Sequence, residues 1–304
     1  MDLKFTDARE KLLEYRISTQ KLGEGAFSKV FSAKHLETDA EVAMKIVDLT
    51  KIERKEEFDA SLNEVVLLKK VNSQHVLKLH DSFVLNSFLY VATELIDSLD
   101  LDKRIKIMRN RKTVFSERSI WYKFHQICAG LKALHKKRIL HRDLKPANII
   151  ITSKYQVKIC DLGLSYHFKD DNISTVNTFI GTDYYMSPER ANREEYSFPA
   201  DIWSLGCLLY EICTFRSPFS GETKSFYSLY KKINKADIIP FPMNVYSEQL
   251  IYFTYACLNT VSYHRPTADE CYEASREMFK KFETMFSDYK KSCKISSTTK
   301  SSKF

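Results

Sequence analysis

Six side chains carry most of the chemistry that this sequence can perform. Asp143, Lys145 and Asn148 fall within the eight residues His141-Arg142-Asp143-Leu144-Lys145-Pro146-Ala147-Asn148, and Asp161 opens Asp161-Leu162-Gly163 thirteen residues after Asn148. Lys45 ends Val42-Ala43-Met44-Lys45, and Glu64 lies on the apolar side of the helical stretch that follows. A buried ammonium is costly unless it is paired, so Lys45 and Glu64 are expected to form an ion pair. Further on, Gly181-Thr182 and Ser187-Pro188-Glu189 close a loop of about thirty residues. Carboxylate and amide oxygens beside lysines suit positioning and charge neutralisation.

Only seven glycines occur, at 23, 25, 130, 163, 181, 206 and 221. In so glycine-poor a chain each is expected where a Cβ would obstruct something. Gly23-Glu24-Gly25 lies between two strand-like runs, and Ser28 stands where a third glycine of Gly-x-Gly-x-x-Gly would be. Taken alone, that loop reads equally as a plain hairpin. No Gly-x-x-x-x-Gly-Lys-Ser/Thr sequence occurs, which disfavours a Walker-type nucleotide site.

The elements that must position these groups change character along the chain. Tyr15–Gln20, Lys29–His35, Glu41–Asp48, Val76–Val84 and Phe88–Glu94 are short β-prone runs between polar turns. Between the third and fourth, Ile52–Val71 is expected to be a helix, with Phe58, Leu62, Val65, Val66 and Leu68 as its apolar residues. Past residue 96 the pattern becomes helical. Ile120, Phe124, Ile127, Cys128, Leu131 and Leu134 form one stripe, and Asp201–Thr214 is apolar on nearly all sides, as in a helix at the centre of a lobe. Strands first and helices second argue for an α+β chain with two lobes.

Composition narrows the class. The 304 residues are 44% hydrophobic and 28% charged, which excludes a mostly disordered or collagen-like chain. No apolar run approaches the roughly 18 residues of a membrane span, and Met1–Asp7 has no apolar segment of the secretory kind. An intracellular chain without a membrane partner is expected. The seven cysteines (128, 160, 207, 213, 257, 271 and 293) are scattered, so neither a disulfide framework nor zinc-ligand spacing is expected. Net charge is +8, but seven Lys from Lys280 onward face only Glu283 and Asp288. The basic excess therefore sits mostly at the end, and no nucleic-acid partner is expected.

The motifs occur in the order and spacing of the protein-kinase set, and the chain resembles a eukaryotic protein kinase over residues 16–286. Leu in Asp161-Leu162-Gly163-Leu164 resembles the NIMA-related (Nek) kinases. So do Gly181-Thr182-Asp183-Tyr184-Tyr185-Met186-Ser187-Pro188-Glu189-Arg190 and Asp201-Ile202-Trp203-Ser204-Leu205-Gly206-Cys207-Leu208-Leu209-Tyr210-Glu211. Ser217-Pro218-Phe219, Tyr227–Ile233 and Tyr246–Leu250 resemble the short Nek branch, whose members are little more than a catalytic domain. The resemblance implies a bilobal protein-kinase fold: a β-rich N-lobe with one regulatory helix (16–95) and a mainly helical C-lobe (96–286). An N-terminal extension (1–15) would precede them, and a basic, solvated Ser/Thr/Lys tail (287–304) would follow.

It also implies a serine/threonine kinase that uses ATP and Mg²⁺. Leu22, Gly23, Glu24, Gly25, Ala26, Phe27, Ser28, Val30 and Ala43 would border the nucleotide, with Lys45, held by Glu64, on its α and β phosphates. Thr93 would be the gatekeeper, and Glu94-Leu95-Ile96 the hinge whose backbone meets adenine. Asp161 and Asn148 would hold Mg²⁺, Asp143 would orient the acceptor hydroxyl, and Lys145 would steady the transferring phosphate. Thr178 falls at the activating phosphosite of Neks, where phosphate could pair with Arg142 after action of an upstream kinase; Ser174 and Thr175 are alternative sites. Arg265 is expected to pair with Glu189, and Cys160 to serve packing rather than reactivity.

Three positions depart from the family. Leu99 replaces a usual Gly after the hinge, which predicts a narrower pocket mouth; Asp183 replaces a usual Pro; and Leu79 stands where some Neks carry a self-blocking Tyr. The resemblance implies protein substrates and a cytoplasmic setting, extending to the nucleus, centrosome, microtubules or cilia, with roles in cell-cycle, microtubule or ciliary control. The alternative reading is a pseudokinase, in which the fold acts as a scaffold. The complete set Lys45, Glu64, Asp143, Asn148 and Asp161 argues for the enzyme.

Overall fold

The computed structural model describes residues 8–169, 175–176, 183–220 and 225–298. Five antiparallel strands, β1 (Tyr15–Glu24), β2 (Ser28–His35), β3 (Glu41–Asp48), β4 (Leu79–Leu85) and β5 (Phe88–Glu94), form one sheet in the order β1-β2-β3-β5-β4. The period-two alternation of β3 gives this sheet two dry faces. Val42 and Met44 pack with Tyr15, Ala33, Phe83 and Ala92 on one side, against Leu12 of the short helix α1 (Ala8–Leu13). Val47 packs with Val65, Leu89 and Val91 on the other, against helix α2 (Lys55–Lys70). Lys45 shares the parity of Val47, so its backbone position directs it toward α2.

Helix α2 starts three residues later than the apolar pattern predicts. The Asp48 carboxylate accepts hydrogen bonds from the Thr50 backbone and hydroxyl, which closes a 3-10 turn at Leu49–Lys51. Ile52 is then extended and packs beside the α2 face of the sheet. Strand β4 likewise starts at Leu79 rather than Val76. Val76 instead bridges Ile159, and Leu77 N–H donates to Ile159 O, so this stretch fastens the sheet to the second lobe.

That lobe is built on helices α3 (Leu101–Asn110), α4 (Glu117–Lys136), α5 (Pro188–Ala191), α6 (Pro199–Thr214), α7 (Phe226–Lys235), α8 (Glu248–Cys257) and α9 (Ala268–Thr298). The predicted stripe of α4 is wholly buried, and α6 is buried around nearly its full circumference. Two small two-stranded sheets complete it: β6 (Ile139–Leu140) with β9 (Tyr166–His167), and the hairpin of β7 (Ile149–Ile151) with β8 (Val157–Ile159). The result is the bilobal fold that the resemblance implies. The stretch from Ser287 is not irregular, because α9 continues to Thr298; its residues 287–291 are exposed, as expected of a solvated segment. No helix among the described residues is long and apolar enough to cross a membrane. The six described cysteines are free thiols.

Gly130 of α4 shows why a glycine is needed where helix meets loop. A Cβ there would lie 2.6 Å from His75 O and 2.8 Å from Ile159 Cδ1. The His75 carbonyl cannot easily retreat, because it accepts a hydrogen bond from Ile159 N–H at 2.9 Å. Gly130→Ala is expected to destabilise the fold by about 1–3 kcal/mol through overpacking. A chemical denaturation curve would check this, and an unchanged midpoint would refute it.

Candidate active site

The β7–β8 hairpin places the two proposed metal-ligand positions side by side. Ile149 pairs with Ile159, Asn148 precedes the first strand, and Cys160-Asp161 follows the second. Cys160 N–H donates to Asn148 O at 3.0 Å and closes the end of the ladder. Asn148 is buried, and its Nδ2 donates to Asp143 O (2.9 Å) and Asp143 Oδ2 (3.1 Å). That use of the amide nitrogen leaves Asn148 Oδ1 as the side chain's acceptor. Lys145 Nζ lies 2.7 Å from Asp143 Oδ2. One short segment therefore joins a carboxylate, an amide and an ammonium.

The expected pair between β3 and α2 is present: Lys45 Nζ lies 2.6 Å from Glu64 Oε2. Burial disfavours the Lys45 charge, but attraction to Glu64, and more weakly to Asp161, outweighs it and raises the pKa above the ordinary lysine value. Asn63 Nδ2, one residue before Glu64, donates to Ser165 O at 2.7 Å and ties α2 to the segment after Asp161. Between these elements runs an open cavity of about 930 Å³, bordered by Leu62, Val66, Leu164 and Tyr166. Val65 and Leu68 of the predicted apolar side are buried, while Phe58 and Val66 are exposed.

The segment carrying Asp143 is held from beneath by Asp201, the third residue of α6. Asp201 Oδ2 accepts from His141 N–H (2.8 Å), and Oδ1 accepts from Arg142 N–H (2.9 Å). His135 Nε2 lies 2.9 Å from the same carboxylate, which is almost without solvent exposure. Burial opposes the charge, but His135, His141 and the backbone donor hold the carboxyl below the usual carboxylate range. Arg142 and Asp161 both take positive φ, 69° and 63°. This region is strained for side-chain-bearing residues and persists only where the surroundings enforce it. Arg142 Nε donates to Leu164 O, and Gly163 N–H donates to Asp161 Oδ1 at 3.3 Å.

The glycine loop is a tight hairpin. Glu24 pairs with Lys29 and Gly23 with Val30, and Gly25 N–H donates to Ser28 O at 2.8 Å, so Gly25, Ala26 and Phe27 form the tip. Leu22 precedes it on β1, half exposed, and Val30 and Ala43 lie on β2 and β3. Thr93 sits on β5 opposite Ala43 and Leu79. The expected hinge proves to use a side chain as well as backbone: Glu94 Oε1 lies 2.7 Å from Lys158 Nζ and accepts from Lys78 N–H at 2.8 Å. Beyond it, Ile96 O accepts from Ser98 N–H at 2.9 Å. Leu99 is exposed, and Leu79 packs into the sheet's apolar layer.

Arg265 and Glu189 form the expected pair, and it is two-pronged, at 2.7 and 2.8 Å. Burial pushes the Cys160 thiol well up, in keeping with a packing role. Thr178, Ser174, Gly181 and Thr182 lie outside the described residues, and Asp183 opens a 3-10 turn at Asp183–Tyr185. Sequence reasoning missed the clamping function of Asp201, although a lone acid at the head of an apolar helix is a usable signal. It also missed Asn63, Lys158 and His135, whose partners lie far away in the chain.

The geometry defines a protein kinase. Residues 16–275 match the protein kinase domain family, and the chain belongs to it. Among curated relatives it is 39% identical over 220 residues to mouse serine/threonine-protein kinase Nek5, covering 72% of this chain and 34% of that protein. It is 34% identical over 263 residues to mouse Nek9, covering 86% and 26%. With mouse Nek3 it shares 34% over 247 residues, covering 81% and 46%. The chain thus spans less than half the length of each of these relatives.

Asp201→Ala would leave the His141 and Arg142 N–H groups and His135 facing an empty buried site, at an expected cost of about 3–5 kcal/mol. A folded-state pKa below the unfolded value of about 3.9 contributes stability that is complete above that value and lost as pH falls through the folded one. Urea titrations from pH 6 downward should therefore show a steeper acid loss in the wild type than in Asp201→Ala. Parallel pH profiles would contradict this account.

Proposed function

We propose that this chain is a Nek-like serine/threonine protein kinase that transfers the γ-phosphoryl of ATP to protein hydroxyls. The observation that carries this reading is the set of polar groups brought together: Lys45, paired with Glu64 and attracted by Asp161, and Asn148, which bonds Asp143 and is set beside Asp161 by the β7–β8 hairpin. The pairing of Lys45 with Glu64 argues against a scaffold in which the fold only binds partners.

The residues present suit Mg-ATP. Asp161 and Asn148 offer hard oxygen donors, and no group of three or more His, Cys, Asp or Glu side chains forms a metal cage among the described residues. That is the pattern for Mg²⁺, which takes one or two protein oxygens together with phosphates and water. When bound, Mg²⁺ would neutralise phosphate charge. Lys45, kept ionised by Glu64, would hold the α and β phosphates. The hairpin tip Gly25–Phe27 would bring backbone N–H groups to the phosphates, and Ile96, with Thr93 and Glu94 behind it, would meet the base. Asp143 would orient the Ser/Thr hydroxyl and accept its proton late in transfer. Lys145, beside Asp143, would follow the transferring phosphoryl group.

Protein substrates belong to the same reading, supported by the Nek relatives, which are named serine/threonine-protein kinases; an upstream kinase acting at Thr178 and work at the centrosome, microtubules or cilia belong to it through the family resemblance of the sequence motifs. The test is transfer from Mg-ATP to a degenerate Ser/Thr peptide library, before and after phosphatase treatment. Asp143→Asn should lose activity by at least about 10³-fold while retaining nucleotide binding. Lys45→Met should lose transfer together with nucleotide affinity. A wild-type chain that binds no nucleotide would overturn the proposal.

A further inference from the structure

Arg190, the third residue of α5, is buried but poorly satisfied. Its Nη1 donates to Arg142 O at 3.0 Å, whereas Nε and Nη2 have no hydrogen-bond partner. Burying a guanidinium with two unmatched nitrogens costs stability, and a well-packed apolar side chain would commonly do better. The single bond it makes falls on a consequential atom. Arg142 O belongs to the peptide group whose N–H is that of Asp143, and that N–H lies 3.3 Å from His141 Nδ1. Arg142 holds the strained φ of 69°, and Asp201 grips the two preceding N–H groups. Arg190 is the grip on the following carbonyl. Without it, the peptide ahead of Asp143 is free to turn out of its strained orientation and carry the carboxylate with it.

The other end of Arg190 meets a different element. Its guanidinium carbon lies 5.1 Å from the centre of the Tyr196 ring. Tyr196 exchanges both backbone hydrogen bonds with Val176, each at 2.9 Å. Val176 belongs to the long segment between Asp161 and Glu189, so a continuous path runs from that segment through Tyr196 and Arg190 to the Arg142–Asp143 peptide. We propose that Arg190 is a positioning residue that holds Asp143 in register and makes that register answer to the docking of Val176 on Tyr196. The inference rests on the phosphotransferase reading above.

The test compares Arg190→Met and Arg190→Lys by kcat, KM for ATP and thermal melting, using a peptide selected from the library. Met fills the volume without a donor; Lys keeps a cation able to donate to Arg142 O. A misplaced catalytic group costs about 10²-fold, so Arg190→Met should lose that much in kcat. Its KM for ATP should be unchanged, and its melting temperature equal to or above the wild-type value. Arg190→Lys should recover part of the lost kcat. A purely packing role predicts the reverse order, with Met at least as active as Lys, and that outcome overturns the proposal. Should Arg190→Met fail to fold, Tyr196→Leu removes the ring from beside the guanidinium and must lower kcat at constant KM; unchanged kcat there overturns it equally. A wild-type chain that neither binds nucleotide nor transfers phosphate would sink the kinase reading and this inference with it, whereas an active wild type with indifferent variants would sink this one alone.

Discussion

An ionised carboxylate almost without solvent, Asp201, is the contact on which the catalytic segment depends. It stands at the head of the most buried helix of the protein and takes two consecutive backbone N–H groups from the residues before Asp143. A buried charge is tolerable only with strong, directed partners. Here those partners are the functional loop itself. The desolvation of one side chain is thus coupled to the geometry of another, and α6 sets the position of Asp143 without touching substrate. The strained Arg142 backbone is understandable on the same grounds, since it is stabilised by donors and acceptors supplied from α5 and α6.

The opposite lobe uses a different strategy. Its sheet has apolar layers on both faces, and Lys45, on the α2 side, is neutralised by a helix rather than by the sheet. Polar contacts between the lobes include His75 and Leu77 with Ile159, Glu94 with Lys158, and Asn63 with Ser165. Lys158, Ile159 and Ser165 all lie within four residues of Asp161. Relative lobe placement and site geometry are therefore governed by largely the same atoms.

What could be read from the sequence follows from the range of each interaction. Strands β3 and β5 agree with their apolar alternation because both faces of the sheet are buried, and α6 is evident because apolar residues cover nearly all of its circumference. The Lys45–Glu64 and Arg265–Glu189 pairs were legible because an isolated charge in an apolar context demands a partner. The grip of Asp201 on residues some sixty positions away has no periodic signature, and neither does the tie from Glu94 to Lys158. Boundaries failed where a side chain competed with the backbone pattern. Asp48 diverted the start of α2 into a separate turn, and Ile159 drew Val76 out of β4. At the other end, Lys-, Ser- and Thr-rich composition suggested a solvated tail; it did not show that α9 continues into it, although none of those residues forbids helix.

The open space beside α2 gives the nucleotide-binding lobe a mechanical property. Close-packed interiors transmit small displacements because there is nowhere for them to dissipate. Helix α2 has such packing on one side, where Val65 meets the sheet, and borders a cavity of about 930 Å³ on the other. It behaves as a joint with slack in one direction. The position of Glu64 beside Lys45 is then set on that side by the polar tie from Asn63 to Ser165 O rather than by the shape of the core. Whatever fills or empties that space, whether a side chain, a neighbouring segment or solvent, acts on the Lys45–Glu64 pair through the helix and not by touching the lysine.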